Sequence, residues 1–177
     1  MRTRIIYCCS RLLLGLLLLL VWPASGCRNT GAREGIALSF TVPVLTFLHA
    51  ESGDNGMKNG IADFPTLEVF DRTGQLVYRS HDAGQSVALV KSLPGSLNSL
   101  TQLPNQPKLP QVLGSLPGLA EADKGVLLNS SQPTVISYSL EGCEACSVQE
   151  EALGPETVKN LAAHGLNSLM IRVSRPR

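Results

Sequence analysis

The chain is poor in aromatic residues. Only 5% of its 177 residues are Phe, Trp or Tyr, and the one tryptophan, Trp22, lies in an N-terminal apolar stretch. Nucleic-acid binding calls for a basic patch, commonly interleaved with stacking aromatics, and none is present, so no nucleic-acid partner is expected. Charge is sparse as well, at 16% Asp, Glu, Lys and Arg with a formal net of +1. Arg2, Arg4 and Arg11 fall in the N-terminal stretch; without them 12 basic residues face 14 acidic ones, a balance near −2. Histidine is scarce and scattered. His49, His81 and His164 read as solvated loop or helix-end residues, and there is no second Cys-x-x-Cys to complete a four-ligand zinc site. Neither a metal nor a cofactor is expected. No internal repeat is visible. What remains is 44% hydrophobic, enough for one domain with a real core.

Residues 1–26 read as an export signal. Arg2 and Arg4 supply the positive start, residues 12–22 the apolar centre, and Pro23, Ala24, Ser25 and Gly26 the small-residue processing site. Eleven helical residues rise about 16 Å, short of the roughly 30 Å of a hydrocarbon core. An uncleaved signal anchor is therefore the second reading. Ala24-Ser25-Gly26-Cys27 resembles a bacterial lipobox, which implies cleavage before Cys27 and its lipidation. The lipobox family prefers leucine where Ala24 stands, and ordinary signal cleavage would leave Cys27 a free thiol. Either way the mature chain is expected on the periplasmic side, as a membrane-anchored lipoprotein or as a soluble protein, where disulfides persist.

Residues 27–35 read as a tether. Residues 36–49 are β-branched and apolar and read as a strand region, with Pro43 marking an edge or a break. Residues 52–56 read as a loop. Residues 67–70 and 75–79 read as two strands around the turn Asp71-Arg72-Thr73-Gly74, and residues 84–93 as a helix stopped by Pro94-Gly95. Residues 94–117 hold five prolines among Ser, Gln, Asn and Leu, and read as a semi-rigid linker. A short helix is expected over residues 119–128. The organisation expected is thus a β-rich half at 36–93, a proline-rich linker, and a second half at 118–177.

Residues 133–153 carry the chemistry. A β-rich run at 134–139 is followed by a turn, then Cys143-Glu144-Ala145-Cys146 opening a helical segment to about Leu153. Gly154-Pro155 breaks that helix, a second runs over 156–164 with Gly165 at its C-terminal cap, and a last strand covers 166–173. Two cysteines three apart on the first helical turn lie on one side of it. The first sits at the helix N-terminus, where free N–H groups and the dipole favour a thiolate. The pair reads as a dithiol–disulfide couple, with Cys143 the nucleophile and Cys146 the resolving thiol. A static local disulfide is the plain alternative, although so short a loop constrains the unfolded chain little.

Strand, Cys-x-x-Cys, helix and strand resemble the redox half of the thioredoxin fold. Phe64-Pro65-Thr66, a strand, a turn, a strand and a helix resemble its other half. The resemblance implies an α/β three-layer sandwich with a mixed sheet, and a cis Pro65 that packs with Phe64 beside the cysteines and presents backbone to a substrate peptide. In the family the two halves occur in the opposite order. The chain is then one circularly permuted domain, two half-units that complete each other, or a thioredoxin-like C-terminal half beside an unrelated β-rich element. Gly142 replaces the family's aromatic residue before the first cysteine, and 134–139 lacks its buried carboxylate. Glu141 and Glu144 flank the pair and disfavour a thiolate.

The activity implied is an extracytoplasmic thiol–disulfide oxidoreductase acting on cysteines of exported proteins and regenerated by a membrane redox partner. The alternative is a non-catalytic envelope lipoprotein that uses a degenerate thioredoxin-like fold as a binding module.

Overall fold

A computed structural model describes residues 34–52 and 63–175, with side chains omitted at 49–52. The export signal, Cys27, most of the expected tether and the loop 53–56 lie outside the described residues. Among the described residues five strands form one mixed sheet: β1 (Ala37–Pro43), β2 (Thr66–Phe70), β3 (Leu76–Ser80), β4 (Thr134–Leu140) and β5 (Asn167–Ser174), in the order β1-β5-β4-β2-β3. β5 runs parallel to both β1 and β4, while β2 pairs antiparallel with β4 and β3. Six α-helices accompany them among the described residues. They are α1 (Val44–Ser52), α2 (Ala83–Ser92), α3 (Leu109–Ser115), α4 (Glu121–Asn129), α5 (Glu144–Ala152) and α6 (Pro155–Ala163).

The strands at the centre of the sheet are covered on both faces, which explains why their sequences alternate so weakly. In β4, Val135 packs into one apolar cluster while Ile136 and Tyr138 pack into the other. β3 divides likewise, and both residues are buried: Leu76 joins Ile136 and Tyr138 on the first face, and Val77 joins Val135 on the second. Phe47 of α1, Val112 and Leu113 of α3 and Leu127 of α4 close the first face. Val90 of α2, Leu161 of α6 and Leu153 just after α5 close the second. The molecule is thus an α/β structure of three layers.

Three expectations are corrected. Residues 36–49 are half strand and half helix: β1 is an edge strand ending at Pro43, and α1 starts at Val44. The β-branched composition is shared by both halves, and packing decides between them, since Phe47 is fully buried from the helix. The tether ends before Gly35, whose N–H donates to Ala162 O at 2.7 Å. A Cβ on Gly35 would lie 1.9 Å from Leu166 O, so only glycine admits this approach.

The third correction concerns residues 94–117, which are not a linker. They hold a short 3-10 turn and α3, and Leu109, Val112, Leu113 and Leu116 are buried. Leu103 and Leu109 donate backbone hydrogen bonds to Leu76 O and Gly74 O, each at 2.8 Å. Pro110 sits in the first turn of α3, where its missing N–H costs nothing. The prolines therefore punctuate a core-packed segment.

Candidate functional site

β4 delivers the site. It ends at Leu140, and the turn that follows places Gly142 at φ +76°, a left-handed conformation that favours glycine. A Cβ there would lie 3.5 Å from Arg175 Cζ, so the Arg175 guanidinium lies over Gly142. Arg175 N in turn donates to Glu141 Oε2 at 3.1 Å.

Cys143 is the N-cap of α5, with extended backbone at φ −91° and ψ 114°. Its Sγ accepts the Cys146 N–H at 3.2 Å, satisfying one of the free amides of the first turn. Cys146 Sγ accepts the Leu140 N–H at 3.4 Å. The two sulfurs are joined as a disulfide with Cα atoms 5.2 Å apart. Burial separates them: Cys143 is half-buried, whereas Cys146 is 1% exposed. Of the two residues only Cys143 has appreciable exposed surface, so a thiolate attacking there would release Cys146 into the protein. Each sulfur has a backbone N–H positioned to stabilise the negative charge it takes up on leaving.

The Phe64–Pro65 peptide is cis, Pro65 is buried, and the half-buried ring of Phe64 lies tilted against Phe47 with centroids 5.8 Å apart. Thr66, the next residue, pairs with Tyr138 near the end of β4. The start of β2 thus lies beside the strand end from which the cysteine turn departs. Gln149 binds the two together. Fully buried on α5, it donates through Nε2 to Thr66 O at 3.1 Å and to Ser137 Oγ at 2.9 Å. The Thr66 hydroxyl donates to Asp63 O at 2.6 Å, so His81 Nδ1, 2.8 Å away, donates to Thr66 Oγ1. His164 is exposed at the end of α6 with Nδ1 2.8 Å from Asn160 O, and the side chain of His49 lies outside the described residues.

On the outer side, Glu150 is held by Arg172 of β5 (Nη2 to Oε2 2.7 Å) and accepts the Ser139 hydroxyl. The Arg172 hydrogen bonds, joined by that from Ser139, keep the Glu150 carboxyl below its ordinary range against the opposing effect of burial. Another carboxylate, Glu68 of β2, is fully buried and lies on the opposite face. Arg79 binds it through Nε at 2.8 Å and Nη2 at 2.6 Å, and Tyr138 OH donates at 3.2 Å. Desolvation pushes Glu68 up and Arg79 opposes it. Arg79 also donates to Gln106 Oε1 at 2.8 Å, so this network fastens the 94–117 segment to the sheet.

Gln149, Arg175 and Glu150 escaped the sequence reading. Gln149 carried a usable signal, three residues after Cys146 and on the same helical face; Arg175, near the chain end, carried none. Among the described residues no group of three or more His, Cys, Asp or Glu is placed to hold a metal ion. Comparison with protein-family models, curated proteins and solved structures finds no match to this chain.

Proposed function

We propose that the chain is a thioredoxin-like thiol–disulfide oxidoreductase, tethered at the extracytoplasmic face of a membrane and acting on cysteines of exported proteins. The observation that carries this reading is the asymmetry of the disulfide, an accessible Cys143 capping a helix and a buried Cys146 behind it. In the reductive direction a donor thiolate attacks Cys143 Sγ, forming a mixed disulfide and releasing Cys146 as a thiolate that takes a proton. The donor's second thiol then attacks its own mixed-disulfide sulfur and leaves as a disulfide. Two electrons and two protons pass to the pair. Reduction of a substrate disulfide is the same sequence reversed. No cofactor beyond the two thiols is required.

The cis Pro65 beside the end of β4, the hairpin β2–β3 and the helix α2 after it support the thioredoxin-like part of the proposal. Pairing of β2 with β4 unites both halves in one sheet, which favours a single permuted domain over tandem half-units. Membrane attachment through Cys27 or a signal anchor, and service by a membrane redox partner, rest on the N-terminal sequence alone.

A redox titration of the full-length chain, with Cys8, Cys9 and Cys27 changed to Ser and thiols read by alkylation, tests the proposal. A reversible two-electron transition between about −120 and −270 mV is expected, with Cys143→Ser abolishing turnover of a disulfide-bonded protein substrate. Full turnover in Cys143→Ser sinks the proposal. A pair that stays oxidised below about −300 mV is a structural disulfide and leaves the non-catalytic binding module as the reading.

A further inference from the structure

One buried polar atom at the site has no use in the disulfide form. Gln149 is 0% exposed, and its Oε1 has no hydrogen-bond partner among the described residues. The amide cannot be turned over to cure this. Thr66 O can only accept, so the nitrogen must face it, and the oxygen is left over. A buried unpaired acceptor costs free energy and calls for a reason.

Cys146 supplies one. The two residues are the buried ones of α5 and stand three apart, so their Cβ atoms are neighbours at about 5–6 Å. Long helical side chains also lean toward the helix N-terminus, which is the Cys146 side of Gln149. In the disulfide, Cys146 Sγ carries no hydrogen and is pinned toward Cys143. Reduction by a dithiol releases it, and the sulfur that emerges in the protein interior takes up a proton. It becomes a buried S–H donor, free to turn about its own Cα–Cβ bond, with no acceptor assigned.

We infer that Gln149 Oε1 is the hydrogen-bond acceptor for the Cys146 thiol in the dithiol form, so that Gln149 is a positioning residue whose unpaired oxygen is reserved for the reduced state. The inference rests on the oxidoreductase reading for its purpose and on the buried amide for its geometry. The bond exists only after reduction, so it favours the dithiol and makes the pair more oxidising. It also holds Cys146 protonated until Cys143 is again engaged in a mixed disulfide.

Infrared spectroscopy of the S–H stretch reads this bond directly, in the full-length chain with Cys8, Cys9 and Cys27 changed to Ser. In the Cys143→Ser form of that chain Cys146 is the sole thiol, and its band is expected at the lowered frequency of a hydrogen-bonded S–H. Gln149→Met should return it to the frequency of an unbonded thiol. It should also shift the equilibrium with dithiothreitol toward the disulfide by about threefold, the worth of one modest hydrogen bond. Gln149→Glu retains an acceptor and should keep the band low, which covers the case of an unfolded Gln149→Met. An unbonded band in the parent, or one unmoved by Gln149→Met in a folded protein, overturns the inference even if the pair cycles reversibly. A bonded band in a protein whose pair does not cycle upholds the inference and removes the oxidoreductase reading instead.

Discussion

Glu150 shows how a single side chain ties the cysteine helix to the sheet. It sits four residues after Cys146, bonds Arg172 on β5 and accepts from Ser139 on β4. Its carboxyl is held below the usual range, so folding favours the charged form. The sign follows from linkage: the stabilisation is present above the unfolded value of about 4.3 and is lost as pH falls through it toward the lower folded value. Glu150→Gln should therefore be less stable than the parent at pH 7, with the gap closing as pH drops through about 4. Denaturation midpoints measured from pH 7 to 3 check this, and a gap independent of pH refutes it. At this scale the sequence was legible where chemistry is local. Cys143 and Cys146 announce themselves by spacing and by the turn before them. Gln149, Glu150 and Arg175 draw their roles from Thr66, Arg172 and Gly142, partners far along the chain that no local pattern reveals.

Among the elements, α3 departs furthest from the sequence reading. Five prolines and many polar residues suggested a strap lying outside the fold. Yet Leu109, Val112 and Leu113 recur at helical spacing and enter the same cluster as Phe70 and Leu76. The segment is a lid on one face of the sheet. Leu113→Ala should cost about 2–5 kcal/mol, the range for a buried leucine, as read by chemical denaturation. A loss under about 0.5 kcal/mol would be the behaviour of a surface site and would restore the linker reading. β2, β3, β4 and α2 were legible because apolar runs end at clear stops, namely Asp71 to Gly74, Pro94 and Gly142. Residues 44–49 were not, because the same Val, Leu, Thr and Phe serve in strands and helices, and only the burial of Phe47 decides.

Across the whole molecule, the α/β class and the mixed sheet were expected from the resemblance to the thioredoxin fold, but the partner of β1 was not. β1 pairs with β5 along its full length, from Ala37 opposite Ser168 to Pro43 opposite Ser174. β5 is also the parallel partner of β4. Ending the chain after Leu166 removes the partner of both strands at once. Such a truncation should lose cooperative unfolding altogether, monitored by circular dichroism against denaturant. A sharp transition in the truncated chain would show that β1 and β5 are peripheral.

The pairing of β1 with β5 also fixes an order of events in time. Contacts between distant parts of a chain form slowly, because the intervening loop must close first. Among the described strands, β1 is made first and finds its neighbour only when β5, the last of them, has been made. During synthesis β2, β3 and β4 can pair as they emerge, but the sheet cannot be completed until β5 follows all of them. The helix bearing the two cysteines thus has β4 and β2 beside it before the strand that joins β4 to β1 exists, and the sheet closes up only as the final strand is added.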